Sequence, residues 1–141
     1  MARGQKRTKG SSGFNRKNSD DFLAKNQNKP GMVVTESGLQ YLEIEVGGSE
    51  YPQSDSMVEV HQRISLLDGT LIDDTYKTGE TLRFTLEEAI SGYREGLLHT
   101  GIGGRYKFFI PPDLAWGKRG SGKRIGPNAV LIIDVRLLKI L

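Results

Sequence analysis

Residues 81–110 read TLRFTLEEAISGYREGLLHTGIGGRYKFFI, and the hydrophobic period changes twice within that stretch. Leu82, Phe84 and Leu86 alternate with Thr81, Arg83 and Thr85, the two-residue repeat of a half-buried strand. From Glu87 to His99 the repeat lengthens and places Leu86, Ala89, Ile90, Tyr93 and Leu97 on one helical stripe, which Gly92 and Gly96 weaken. Strand character returns at Arg105 to Ile110 and stops at Pro111-Pro112. The one convincing helix of this region therefore lies between strands.

More strands follow outward in both directions. Leu131, Ile133, Val135 and Leu137 form the inward face of a C-terminal run. Upstream, Val58, Val60, Ile64 and Leu66 alternate with Glu59, His61, Arg63 and Ser65, while Gln62 breaks the apolar face. Asp68-Gly69 signals a turn and a loop is expected around Lys77-Thr78-Gly79. Leu42, Ile44 and Val46 alternate with Glu43 and Glu45 until Gly47-Gly48 ends the run. Strands of this kind around one helix, without repeated strand–helix alternation or an internal repeat, predict an α+β domain with an antiparallel sheet. Ser19, Asp20 and Asp21 look like a helix N-terminus leading into Phe22-Leu23-Ala24-Lys25, a short linker helix that Pro30-Gly31 ends.

A chain of 141 residues with 36% hydrophobic and 26% charged content has room for one core and a short appendage. The net charge of +3 is uneven. Arg3, Lys6, Arg7, Lys9, Arg16 and Lys17 meet no acid before residue 18, which leaves the remaining chain with 14 basic against 17 acidic residues. A polar tail of this composition cannot bury enough apolar surface to offset its ordering entropy. The expected organisation is a disordered basic tail over 1–17, a short helix and linker over 18–36, and a domain over 37–141. The tail lacks the apolar region of a secretory signal and no run is long enough to span a bilayer, so the expectation is a cytoplasmic protein without membrane contact. With no cysteine, disulfides, thiol catalysis and zinc–thiolate sites are excluded.

Two glycine-rich segments imitate nucleotide-binding motifs and fail in context. Gly117 to Arg124 has the spacing of a phosphate loop, but Arg124 stands where the magnesium-holding hydroxyl belongs and Pro127 follows instead of a helix. Gly101-Ile102-Gly103-Gly104 precedes a strand where a dinucleotide fingerprint needs a helix N-terminus. His61 and His99 have no partner at metal-ligand spacing, so surface or capping roles are expected. The acid pairs Asp73-Asp74 and Glu87-Glu88 are adjacent, and adjacent side chains diverge. No cofactor or metal is implied.

The order and spacing of Val60-His61, Leu67-Asp68-Gly69, Ile72-Asp73, Gly92-Tyr93-Arg94-Glu95-Gly96 and Pro112-Asp113-Leu114-Ala115-Trp116-Gly117 resemble the FKBP family of peptidyl-prolyl cis–trans isomerases. Gly126-Pro127-Asn128-Ala129-Val130-Leu131 and Asp134-Val135-Arg136-Leu137-Leu138 extend the match. Ser37-Gly38-Leu39-Gln40-Tyr41 and Tyr76-Lys77-Thr78-Gly79-Glu80 look like the bacterial branch that includes macrophage infectivity potentiators. The long dimerising helix of those proteins is missing here, and a monomer is expected.

The resemblance implies an antiparallel sheet wrapped around the Glu87–His99 helix, with a pocket for a proline ring in a polypeptide or for a macrolide immunosuppressant. It implies catalytic roles for Asp73, the pocket carboxylate; for Tyr93, the aromatic floor where tryptophan is usual; and for Trp116, in place of a tyrosine whose hydroxyl bonds the ligand. Ile90 stands where a backbone N–H meets a substrate carbonyl. Ile72, Leu82 and Ile133 hold wall positions that are commonly phenylalanine, and Ala89 and Ile125 line up with further apolar contacts. Gln62 replaces a tyrosine that typically supports the aspartate.

Periodicity alone would equally make Ile72, Leu82, Ile90, Tyr93 and Ile133 ordinary core; only Gln62, Asp73 and Trp116 resist that reading. The implied function is isomerisation of Xaa–Pro bonds in protein folding. Its alternatives are a catalytically weak peptide-binding module or chaperone, and an adaptor that meets an acidic surface, nucleic acid or the ribosome through Lys6, Arg7 and Lys9 of the tail and Lys118, Arg119, Lys123 and Arg124 of the loop.

Overall fold

The computed structural model describes residues 12–122 and 124–141; the expected tail before residue 12, with Lys6, Arg7 and Lys9, and the loop residue Lys123 lie outside them. Seven strands form one antiparallel sheet: β1 (Val33–Val34), β2 (Gln40–Glu45), β3 (Met57–Ser65), β4 (Leu71–Asp74), β5 (Leu82–Thr85), β6 (Arg105–Ile110) and β7 (Leu131–Ile140). Their order is β1-β2-β6-β7-β3-β4, with β5 also paired to β3. β3 thus carries β7 along one edge and two short strands along the other, β5 opposite Met57 to Val60 and β4 opposite Arg63 to Ser65. Between them, Thr75 bridges the gap by accepting the Gln62 N–H at 2.7 Å. Thr75 opens the one-turn helix α2 (Thr75–Thr78), where a loop is expected; Asp74 caps it by accepting from the Lys77 N–H, and Gly79 ends it at φ 80.

The helix predicted over Glu87–His99 is shorter and follows a break. Glu88 folds back onto Thr85 in a capping box, closing a separate 3-10 turn at Leu86–Glu88. Ala89 and Ile90 are then extended, with ψ of 155° and 151°, so that α3 (Ser91–Leu98) starts anew from Ile90. The hydrophobic stripe runs across this break because Ala89 and Ile90 still face inward. Gly92 and Gly96 let the helix sit close to the sheet. A Cβ on Gly96 would lie 2.7 Å from the Phe108 ring, and one on Gly92 2.4 Å from Ile110. Leu97 and Tyr93 join Val58, Val60, Phe108, Ile110, Ile133, Val135 and Leu137 in the core between α3 and the concave face of the sheet. Each such side chain contributes roughly 1.5–3 kcal/mol on burial.

The alternation of Leu42, Ile44 and Val46 marks the side of β2 away from this core, and Val46 is 78% exposed. Register decides the matter, because Tyr41 pairs with Phe108 and so shares its face. Leu39, fully buried, and Tyr41 make the inward contacts.

The N-terminal helix also differs from expectation. α1 (Ser12–Asn26) begins seven residues before the Ser19 signal and takes in residues 12–17 of the expected tail. Ser19 is buried mid-helix, where its hydroxyl donates to the Asn128 carbonyl at 2.7 Å. Asn15 donates to the Pro127 carbonyl at 2.9 Å, Arg16 pairs with Asp113 at 3.0 Å, and Asn26 donates to Gln40 Oε1 at 2.8 Å. Phe22 packs against Phe109, whose neighbour Phe108 faces the core, so α1 covers the opposite side of the sheet. No helix among the described residues is long and apolar enough to cross a membrane.

Candidate functional site

Where β3 turns from β5 to β4, its concave face is not fully covered by α3, and the loop after β6 closes the space from the other side. That loop runs from Pro111 through 3-10 turns at Pro112–Leu114 and Gly117–Arg119 into a small hairpin, with the Ser121 N–H donating to the Ile125 carbonyl at 2.8 Å. Gly120 has φ 67 where a Cβ would lie 2.3 Å from the Ile125 carbonyl oxygen, so the hairpin explains the glycines that imitate a phosphate loop. The result is a cleft of about 440 Å³ with a mostly apolar lining, within the size range of small-ligand sites.

Nine of the ten residues singled out from the sequence line this cleft: Gln62, Ile72, Leu82, Ala89, Ile90, Tyr93, Trp116, Ile125 and Ile133. Tyr93 and Ile133 belong at once to the core and to the cleft floor, so the reading of these residues as core and the reading as pocket are both true of them. Leu82 and Trp116, 38% and 44% exposed, form the rim. Asp73 does not line the cleft; it stands behind Gln62, whose Nε2 donates to Asp73 Oδ2 at 2.7 Å.

These groups form a directed chain. The buried Tyr93 hydroxyl donates to Gln62 Oε1 at 2.8 Å, and the Gln62 amide passes a hydrogen bond on to Asp73. The amide orientation follows from its neighbours, because the opposite one would set its oxygen against a carboxylate. Burial pushes the Tyr93 phenol well above its ordinary range, with Tyr76 and Asp73 adding to the effect, so it stays a donor. Gln62 thus supplies the support that the resemblance assigns to a tyrosine, and the tyrosine hydroxyl now comes from the floor. Among the described residues, neither the Ile90 N–H nor the Trp116 indole N–H has an internal acceptor. Both residues line the cleft, and the Ile90 donor exists because α3 starts at that residue.

Ile64, Phe84, Leu131, Glu88 and Ser121 also line the cleft. Ile64, Phe84 and Leu131 were discoverable, each lying two positions from a predicted wall residue on the same strand. Glu88 and Ser121 carried no such signal, since the capping box and the hairpin place them.

The histidines behave as expected of surface and cap residues: His61 contacts the Thr75 hydroxyl at 3.0 Å and stacks on Tyr76, and His99 caps α3 beside Tyr41. Asp74 turns to its cap and Arg63 while Asp73 turns to Gln62, so this acid pair does diverge. No group of three or more potential ligands among the described residues is placed to hold a metal.

Comparison with known proteins places this geometry. A family model described as FKBP-type peptidyl-prolyl cis-trans isomerase matches residues 48–138, and one for the domain amino terminal to such isomerases matches residues 1–42. The FKBP-type isomerase FkpA of Aeromonas hydrophila is 41% identical over 126 residues, which are 89% of this chain and 47% of that protein. The outer membrane protein MIP of Legionella longbeachae is 39% identical, with 89% of this chain and 54% of that protein covered. The chain spans about half the length of these relatives. Among solved structures, FkpA from Escherichia coli superposes with a TM-score of 0.87 at 36% identity, covering 92% of this chain and 60% of that one. A peptidyl-prolyl isomerase of Pseudomonas syringae gives 0.87 at 26% identity, covering 97% and 98%.

Proposed function

This chain belongs to the FKBP-type peptidyl-prolyl cis-trans isomerase family, and from that premise we propose that its cleft binds the Xaa–Pro bond of polypeptides and accelerates its rotation, assisting protein folding. The observation that supports this most directly is the pairing of an apolar cleft floored by Tyr93 with two open N–H donors at its edge, from Ile90 and Trp116. Rotation about the bond faces a barrier of roughly 18–20 kcal/mol because it breaks amide resonance. No covalent step is needed. The twisted transition state has a less polar carbonyl and a pyramidal proline nitrogen, so a dry cleft that holds this form better than either planar form lowers the barrier.

In this reading Tyr93, Ile133 and Leu82 exclude water around the proline ring, while the Ile90 N–H donates to a flanking substrate carbonyl. The Trp116 indole N–H fixes the peptide at the rim. Gln62 presents its amide to the cleft, held in one orientation by Asp73 on one side and Tyr93 on the other. Asp73 is here a positioning residue. A macrolide immunosuppressant would compete for the same floor.

The test is exchange NMR on a short Xaa-Leu-Pro-Phe peptide. Catalysed cis-to-trans exchange should fall at least tenfold in Tyr93→Ala and less in Asp73→Ala, and should be inhibited by the macrolide. Exchange equal to that in buffer, with peptide-induced shifts still seen at the cleft, would convert the reading to a peptide-binding module.

A further inference from the structure

The cleft is apolar inside but unevenly charged at its mouth. Lys118 and Arg119 lie on the 3-10 turn that follows Trp116, and Arg124 immediately precedes Ile125; Trp116 and Ile125 are both cleft residues. All three cations are exposed, and none forms an ion pair with a carboxylate among the described residues. Arg124 reaches the Leu71 carbonyl at 3.3 Å, and Leu71 pairs with Ser65, so this cation sits at the Ser65 end of β3. The acidic side chain of the cleft lies elsewhere. Glu88 is held by the hydroxyl and N–H of Thr85, and Thr85 pairs with Met57 at the opposite end of β3. The carboxylate and the cation are thus attached near opposite ends of the nine-residue β3. The mouth therefore carries unpaired cations at one end and a fixed carboxylate at the other, while Asp73, near the cation end, stands behind Gln62 and outside the cleft.

We infer that this polarity selects substrates: the cleft prefers proline segments that carry acidic residues on one flank, the flank that lies over Lys118, Arg119 and Arg124. Exposed charges at a rim act mainly through encounter and orientation, and their effect is screened by salt. A flexible substrate gains from such a rim without any change in the floor, so the preference appears in kcat/KM. The inference rests on the reading of the cleft as a proline site.

The experiment uses the full chain and a peptide set built on Leu-Pro-Phe, with two Glu, two Gln or two Lys placed either before or after this core. At low ionic strength one Glu arrangement should exceed the Lys peptide of the same layout by roughly three- to tenfold in kcat/KM, and the ratio should fall toward one at ~0.5 M salt. Charge reversal in Lys118→Glu/Arg119→Glu/Arg124→Glu should invert the order. Equal rates for all layouts at low salt, or an order that survives the triple reversal, would overturn the inference. Stronger chemical shifts at the three cations with a single-stranded oligonucleotide than with the Glu peptide would also overturn it, in favour of nucleic acid. If even the Gln peptides exchange no faster than in buffer, the isomerase reading fails on its own; the charge preference is then decided by the Kd values of the same peptides.

Discussion

Replacing Gln62 by leucine removes a similar volume of side chain but both of its hydrogen bonds. The Tyr93 hydroxyl, in a residue 6% exposed, loses its acceptor, and a buried neutral group left unpaired costs about 1–3 kcal/mol. Asp73 loses a donor, but it is only half buried, so water recovers part of that bond. The sum for Gln62→Leu is about 2–4 kcal/mol. Tyr93→Phe removes the donor instead and leaves Gln62 Oε1 buried without it, at about 1–2 kcal/mol. In the double variant neither end of the Tyr93–Gln62 bond is left behind, so its cost should fall short of the sum of the singles by about 1–2 kcal/mol. Urea unfolding reads this directly: with a slope of about 2 kcal/mol/M, Gln62→Leu lowers the midpoint by roughly 1–2 M at unchanged slope. Strict additivity of the two substitutions would refute the chain from floor to carboxylate. So would a Gln62→Leu midpoint equal to wild type.

Gly96→Ala should destabilise although alanine is the better helix former by about 1 kcal/mol. Its Cβ would meet the fully buried Phe108 ring at 2.7 Å, which puts the overpacking in the upper part of a range of about 1–3 kcal/mol; after the propensity gain a net loss of about 1–2 kcal/mol remains, a drop on the order of 5 °C in thermal melting, and an unchanged or raised Tm would contradict the close helix–sheet approach. In alkaline titration followed by phenolate absorbance, Tyr76 should ionise at about 12, raised by burial and by Asp134, and Tyr93 and Tyr106 should also lag behind ordinary phenols. Because these folded values lie above the unfolded one, the associated stability is present below pH 10 and is lost as pH rises, between 10 and 12 for Tyr76. A native titration that matches the unfolded chain would refute it.

Local alternation sufficed for β3, β6 and β7, because each has one face against α3 and the core. It misjudged β2, where Ile44 and the following Val46 face outward while Tyr41 and the preceding Leu39 face inward; only pairing with β6 reveals which face is covered. The break between the 3-10 turn and α3 was hidden because a stripe of apolar residues records which side faces inward, not which backbone dihedrals carry it there. α1 was the hardest element. Its docked face, Asn15, Arg16, Ser19, Phe22, Leu23 and Asn26, has helical spacing but is mostly polar, and two of its hydrogen bonds reach residues more than a hundred positions away. The cleft walls were legible through the family resemblance, residue by residue. What the resemblance did not reveal was that Gln62 and Tyr93 had exchanged the hydroxyl between them.

The two ends of the sheet carry a further consequence. One closes with the two-residue β1 and the other with the four-residue strands β5 and β4, the latter with its Leu71 carbonyl already engaged by Arg124. Such edges offer few free backbone groups to an incoming strand. Partly unfolded polypeptides are rich in segments that seek one, and a helper with a long open edge would be drawn into their aggregates. If the cleft binds polypeptides as proposed, short, occupied borders keep this domain from becoming the template for their assembly.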